Sequence, residues 1–105
     1  MVKINEEHFS PSSWDSYLNK KKNQTWKLLP LKEEGNYWEK QAKTLILEFR
    51  GLHKMISNEV EHEVLLLSIL ERLNGLFEEK DFMIYRKTVF EVISLIEGLQ
   101  NNGKR

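Results

Sequence analysis

The sequence contains no cysteine and only two prolines among its 105 residues. Without thiols the chain can form no disulfide, no thiolate metal site and no cysteine nucleophile, which fits a reducing compartment. No apolar run approaches the roughly 20 residues that a membrane-spanning helix needs, and the N-terminus is too polar for a signal peptide. We therefore expect a cytoplasmic protein that does not enter a membrane.

Net charge is also missing, because sixteen Lys and Arg residues balance sixteen Asp and Glu residues. No global field draws the protein to nucleic acid or anionic lipid, so any such attraction has to be local. A chain of this length supports one domain with one core. The sequence also has no internal repeat, no glycine-rich phosphate loop and no family signature.

Two stripes of apolar residues recur at alternating steps of three and four residues. Only a helix, with about 3.6 residues per turn, places such positions on one face. The first stripe is Trp38, Ala42, Leu45, Phe49, Leu52 and Ile56, and the second is Phe82, Tyr85, Val89, Val92, Ile96 and Leu99. The segment between them, 60–77, is apolar on more than one face, as in the most enclosed helix of a bundle. The expected core is Leu45, Phe49, Leu52, Leu66, Leu70, Leu73, Val89, Ile93 and Ile96.

Capping residues divide this region into three helices. Asn36 and Glu39 have the spacing of a capping box at the start of the first helix. Asn58 and the acid three residues later repeat that spacing, and Asp81 can cap the third helix. The alternative is one long helix followed by one returning helix, but it would place glutamates on the apolar seam, where unpaired charge is costly. We expect an all-α fold, with an antiparallel three-helix bundle over residues 36–105.

Residues 1–35 contain both prolines and lack a sustained apolar period. Ser10 and Pro11 can start a short helix that runs to about Leu18. We expect the rest of this N-terminal arm to be mostly irregular. Two interpretations stay open: the arm folds back over the helices, or it includes a docking peptide that only a partner orders.

The arm mixes lysines with large aromatic residues, and the lysines could also form a merely solvated loop. Lysine neutralises phosphates and acidic side chains, whereas aromatic rings stack on unpaired bases or anchor protein interfaces. The absence of arginine from the arm weighs against the reading of base edges. We expect a protein partner with an acidic surface, and single-stranded nucleic acid is the alternative. The candidate partner-binding residues are Trp14, Tyr17, Lys20, Lys21, Lys22, Trp26 and Lys27.

Apolar residues beyond the main stripes predict a second covered face. One layer of three helices has too few neighbours to cover Leu65, Ile69, Phe90 and Ile93. The N-terminal arm could cover them, but it has no regular apolar pattern with which to do so. Pairing with a second copy covers them without relying on the arm. We therefore expect a homodimer that associates through these four residues.

Motifs that carry chemistry are sparse. Glu59 and His62 have the spacing of a di-iron carboxylate ligand pair, but such bundles need two of these motifs and two further inward glutamates. An acidic helix start also accounts for Glu59, Glu61 and Glu63. The serines form no nucleophile elbow. We predict no catalytic residue, metal or cofactor, and a small accessory protein (a regulator, inhibitor or assembly factor) that binds another macromolecule. A metal-dependent helical-bundle enzyme is the remaining alternative.

Overall fold

The computed structural model describes residues 2–4, 7–9, 11–55 and 60–103, with side chains over 13–54 and 62–100. Strands β1 (Val2–Ile4) and β2 (Glu7–Phe9) form a short antiparallel hairpin. The helices are α1 (Pro11–Trp26), α2 (Leu28–Glu33), α3 (Trp38–Met55), α4 (Val60–Gly75) and α5 (Phe82–Gly103), with a 3₁₀ turn (Leu76–Glu78) after α4. In this part of the chain no helix is both long and apolar enough to cross a membrane.

Helices α1, α3, α4 and α5 form an antiparallel four-helix bundle. Each long helix packs against the next one, and α5 packs back against α1. His53 near the end of α3 lies 3.6 Å from Glu63 near the start of α4, measured from Nε2 to Oε1. Trp14 near the start of α1 donates a hydrogen bond to the carbonyl of Leu99 near the end of α5. The chain therefore runs up, down, up and down, and α3 and α5 occupy diagonal corners.

The predicted all-α class is confirmed, but the three-helix bundle is not, because helix α1 is a fourth member of the bundle. The short helix predicted to about Leu18 continues to Trp26. Its inward stripe is Trp14, Leu18, Lys21 and Thr25, all buried. Two of these four residues are polar, which hides the helical period from a search for apolar spacing. The bundle tolerates Thr25 because its hydroxyl donates to the Lys21 carbonyl at 2.8 Å. Of the two interpretations of the arm, the structure has residues 11–33 folded against the other helices.

The two apolar stripes line the core, as predicted. Every residue of the predicted core is buried except Leu70, which packs against the core at its edge. Ile56 lies outside the described residues. Trp38 and Tyr85 join the two stripes in an edge-to-face contact with ring centroids 5.1 Å apart, and the Tyr85 hydroxyl donates to the Leu28 carbonyl of α2 at 3.2 Å. Helix α2 therefore closes one end of the bundle.

The helix boundaries follow the predicted caps in part. Asp81 caps α5, because its Oδ1 accepts the backbone N–H of Met83 at 2.8 Å. Helix α3 begins at Trp38 rather than at Asn36. The capping box does not form there, because the Asn36 side chain donates to the Glu34 carboxylate at 3.0 Å instead.

Helices α3 and α4 are separate elements that pack against each other. A single continuous helix through both segments is therefore excluded. The expected break at Ser57 and Asn58 lies outside the described residues.

Candidate docking surface between helices α1 and α5

The predicted partner-binding residues of the arm lie on different sides of α1. Successive residues on a helix with about 3.6 residues per turn are rotated by about 100°, so a run of three lysines cannot share one face. Lys20 and Lys27 are exposed, Lys22 is partly buried, and Lys21 is buried. The lysine run is therefore not a single basic patch.

Trp14 is a core residue, so its predicted role as a docking anchor was wrong. Its Nε1–H donates to the Leu99 carbonyl at 3.1 Å. The indole ring stacks on Tyr17 with centroids 6.3 Å apart and meets the buried ring of His62 edge-on at 6.0 Å. Burial also raises the pKa of the Tyr17 hydroxyl. The inward stripe of α1 begins at this tryptophan, and no part of its side chain is exposed to a partner.

Lys21 belongs to the interior of the bundle rather than to a binding surface. Its ammonium contacts the Glu48 carboxylate of α3 and lies 5.1 Å from the centroid of the Tyr17 ring. The side chain of Lys21 is 4% exposed, whereas that of Glu48 is 33% exposed. Burial lowers the pKa of Lys21 from its ordinary value of 10.5, and the charge of Lys20 lowers it further. Glu48 is the group that makes this buried charge tolerable.

We expect the substitution Glu48→Gln to lower the free energy of unfolding by about 2–3 kcal/mol, because it leaves the Lys21 ammonium buried without a counter-charge. The control Lys21→Met removes that charge and keeps an apolar stem, so it should cost less than about 1 kcal/mol. Urea denaturation at neutral pH measures both changes. A larger loss for Lys21→Met than for Glu48→Gln would contradict the assignment.

The Glu48→Gln variant should also become more stable as the pH rises toward 10.5. The folded-state pKa of Lys21 lies below its unfolded value, so in that range the unfolded chain binds more protons than the folded one. The free energy of unfolding therefore increases with pH, and repeating the denaturation near the upper end of the range measures this.

Of the predicted partner-binding residues, Trp26 at the end of α1 is the one that lies in a candidate docking surface. It is 42% exposed and packs edge-on against Phe90 of α5, with ring centroids 4.9 Å apart. The Arg86 guanidinium lies 4.7 Å from the centroid of the Phe90 ring. We call these three residues the aromatic–arginine cluster. It combines residue types that are enriched at the centres of protein interfaces.

A groove of about 650 Å³ adjoins the cluster on the outer side of α5, and we call it the α5 groove. Arg72 pairs with Glu91 in this groove, with Nε and Oε2 3.8 Å apart. Arg86 and Lys87 have no carboxylate partner among side chains 13–54 and 62–100. Its apolar residues are Leu65, Met83, Phe90 and Leu95, and its charged residues are Arg72, Arg86, Lys87 and Glu91.

A smaller concave region of about 480 Å³ lies on the other side of Trp26 and includes Lys22 and Glu97. Lys27 follows Trp26 directly and is exposed. Of the predicted partner-binding residues, Lys22, Trp26 and Lys27 are thus close to the cluster. Lys20 is exposed on the outer face of α1 and lines neither concave region.

Sequence reasoning missed Met83, Arg86 and Lys87. Met83 is 65% exposed, and both cations are exposed as well. These residues lie on the outer face of a helix that was interpreted from its inward stripe alone. The signal that could have found them is a methionine two turns before Phe90 and two cations within about one turn of it.

The residues predicted for self-association are covered to different degrees within a single chain. Ile69 and Ile93 are buried in the core, Phe90 is partly buried under Trp26, and Leu65 is partly buried. Helix α1 packs against α5 and supplies part of the cover that we expected from a second copy. Self-association through these four residues stays a prediction, and its argument is weaker because two of them are core residues.

The metal-like spacing on α4 does not gather ligands in the described part of the chain. His62 is buried beside Trp14, and Glu63 faces His53. Among described residues no group of three or more His, Cys, Asp or Glu side chains could hold a metal ion. Glu59 and the side chain of Glu61 lie outside the described residues.

The fold and this surface define an antiparallel four-helix bundle with an exposed aromatic–arginine cluster. Comparisons with protein-family models, with curated proteins and with solved structures find no match. The function therefore has to be argued from the surface itself.

Proposed function

We propose that this protein is a non-enzymatic accessory protein that binds an acidic protein partner across the junction of α1 and α5. The observation that carries the proposal is the contact between Trp26 and Phe90, which leaves a large aromatic side chain at the surface beside an arginine. Trp and Arg dominate the energetic centres of protein interfaces. A regulator, an inhibitor or an assembly factor would act in this way.

The charges around the cluster favour an acidic partner. Arg86 and Lys87 have no carboxylate partner among the described side chains, and the exposed Lys27 extends the same sign beside Trp26. Complementary charge at the rim of an interface raises the association rate and selects among partners. Apolar contact with Met83 and Leu65 in the α5 groove would supply the affinity.

Single-stranded nucleic acid is the second candidate. The exposed ring of Trp26 could stack on a base while Lys22 and Lys27 contact phosphates. A protein partner is favoured because the larger cavity beside the cluster is mainly apolar, which a phosphodiester chain would not use.

Trp26→Ala should weaken binding of the partner by about 2 kcal/mol, or roughly thirtyfold, because it removes the exposed anchor. A photoreactive amino acid in place of Met83 identifies that partner in cells, since this side chain is exposed in the α5 groove. The same amino acid at Ser16, exposed on the outer side of α1, is the control. We expect a discrete protein adduct from position 83 that is absent from position 16 and lost in the Trp26→Ala background. Titration calorimetry with the purified partner then measures the affinity.

Two results would contradict the proposal. One is an adduct from position 83 that survives Trp26→Ala. The other is tight binding of labelled oligodeoxythymidine whose affinity falls steeply with salt and whose salt dependence flattens in a Lys20, Lys22 and Lys27 triple-alanine variant, since that dependence counts phosphate contacts. The buried Lys21 is left intact in that variant to preserve the bundle.

A further inference from the structure

The outer face of α3 carries a basic stripe on the opposite side of the bundle. The residues recur at steps of three and four and are all exposed, and Leu47 at the centre is 67% exposed. At about 1.5 Å per residue the stripe is about 21 Å long. We define the α3 stripe as Lys40, Lys43, Leu47, Arg50 and Lys54.

The positive charge of this stripe is not neutralised by the described side chains. None of its four cations has a carboxylate within ion-pair distance in 13–54 or 62–100. Of the two acids on α3, Glu48 contacts Lys21 on the side facing α1, and Glu39 forms no ion pair with these side chains. Because the whole chain is neutral, this is charge that the fold has segregated onto one face.

An apolar groove of about 390 Å³ runs beside the stripe, between α3 and α4. Ile46, Leu47 and Phe77 form its apolar lining. Lys43 and Arg50 also line it and are seven residues apart, which places them on one edge about 10 Å apart along the helix axis. An apolar groove with two cations on one edge has the pattern that receives an amphipathic helix bearing acids two turns apart.

We infer that the groove between α3 and α4 binds an acidic amphipathic helix of a second protein. The apolar face of that helix covers Leu47, and its carboxylates at positions i and i+7 pair with Lys43 and Arg50. Nucleic acid fits this surface less well, because the ring of Phe77 already stacks on Trp38 with centroids 5.3 Å apart. An anionic membrane would use the four cations and Leu47 but would not reach Ile46 and Phe77, which are buried and half-buried in the groove.

This inference goes beyond the proposed function, because it adds a second binding surface that can be occupied at the same time as the first. Helices α3 and α5 lie at diagonal corners, so their outer faces point away from each other. The two grooves also lie on opposite sides of α4. Leu65 and Arg72 line the α5 groove, whereas Asn74 lines the groove beside the α3 stripe. A chain with both surfaces bridges two proteins.

The probe is a synthetic helical peptide with a leucine stripe and glutamates two turns apart, titrated into ¹⁵N-labelled full-length protein. We expect chemical-shift changes at the backbone amides of Lys43, Leu47, Arg50 and Asn74. The variant Lys43→Glu/Arg50→Glu should weaken peptide affinity by at least about tenfold. A peptide with lysines in place of the glutamates should regain affinity for that variant, since only direct pairing predicts rescue by a charge swap.

The matched control is Lys20→Glu/Lys80→Glu, which makes the same change in net charge at two exposed positions that belong neither to the α3 stripe nor to the groove beside it. It should keep the affinity of the original protein, and Trp26→Ala should keep it too, which separates this inference from the proposed function. Equal loss in the control, absence of rescue, or shifts confined to α5 would overturn the inference. So would shifts at the stripe caused by oligodeoxythymidine or phosphatidylserine vesicles but not by the peptide.

Discussion

Replacing Trp14 with alanine is expected to lower the free energy of unfolding by about 3–5 kcal/mol. The indole is fully buried and donates its N–H to the Leu99 carbonyl across the junction of α1 and α5. Truncation would open a large cavity and leave that carbonyl without this donor, and both effects favour the unfolded state. Chemical denaturation followed by far-ultraviolet circular dichroism measures the change.

Two matched variants separate the parts of this effect. Trp14→Phe keeps much of the apolar volume and loses the donor, so it should cost about 1–3 kcal/mol. Trp26→Ala removes the same side chain from a half-exposed position on the same helix and should cost less than Trp14→Ala. If the free energy of unfolding of Trp14→Ala lies within about 1 kcal/mol of that of the original protein, the placement of α1 in the bundle is contradicted.

Replacing Phe49 with alanine is expected to cost about 3–5 kcal/mol, because this ring is fully buried in the apolar stripe that α3 turns toward the core. Leu47→Ala is the control on the same helix. Leu47 is mostly exposed, and its loss should change the free energy of unfolding by less than about 0.5 kcal/mol. An unchanged denaturation midpoint for Phe49→Ala would refute its place in the core.

The helices of the core could be predicted where one face is continuously apolar. Both stripes keep their period because their inward positions, such as Phe49 and Val89, are occupied by apolar residues in turn after turn. Only the first half of helix α1 was predicted, to about Leu18, because Lys21 and Thr25 occupy two of its four inward positions. Each of these polar residues is accepted only through a specific partner, the Glu48 carboxylate and the Lys21 carbonyl. The Glu48 carboxylate is brought in by tertiary contact, which a local period cannot reveal, whereas the bond of Thr25 lies within α1 itself.

The candidate site was predictable to the same limited extent. The mixture of lysine and aromatic residues pointed to Trp26, which is exposed, but equally to Trp14, which is buried. What distinguishes the two rings is their position on α1 relative to α5. The contribution of Phe90 and Arg86 depends on the packing of those two helices, so no spacing within either segment could indicate it.

The contact of α1 with α5 joins the first and last helices of the bundle, since Trp14 and Leu99 are 85 positions apart. The other neighbouring helices are joined by shorter connections, so closing this junction costs the most loop entropy. Trp26 and Phe90 lie on opposite sides of that junction. A partner that contacts both rings binds only the bundle in which α1 and α5 are packed together. By mass action, a partner concentration of a hundred times Kd would add about 2.7 kcal/mol to the stability of the bundle. The partner would then hold α1 against α5, and the protein would be less stable without it.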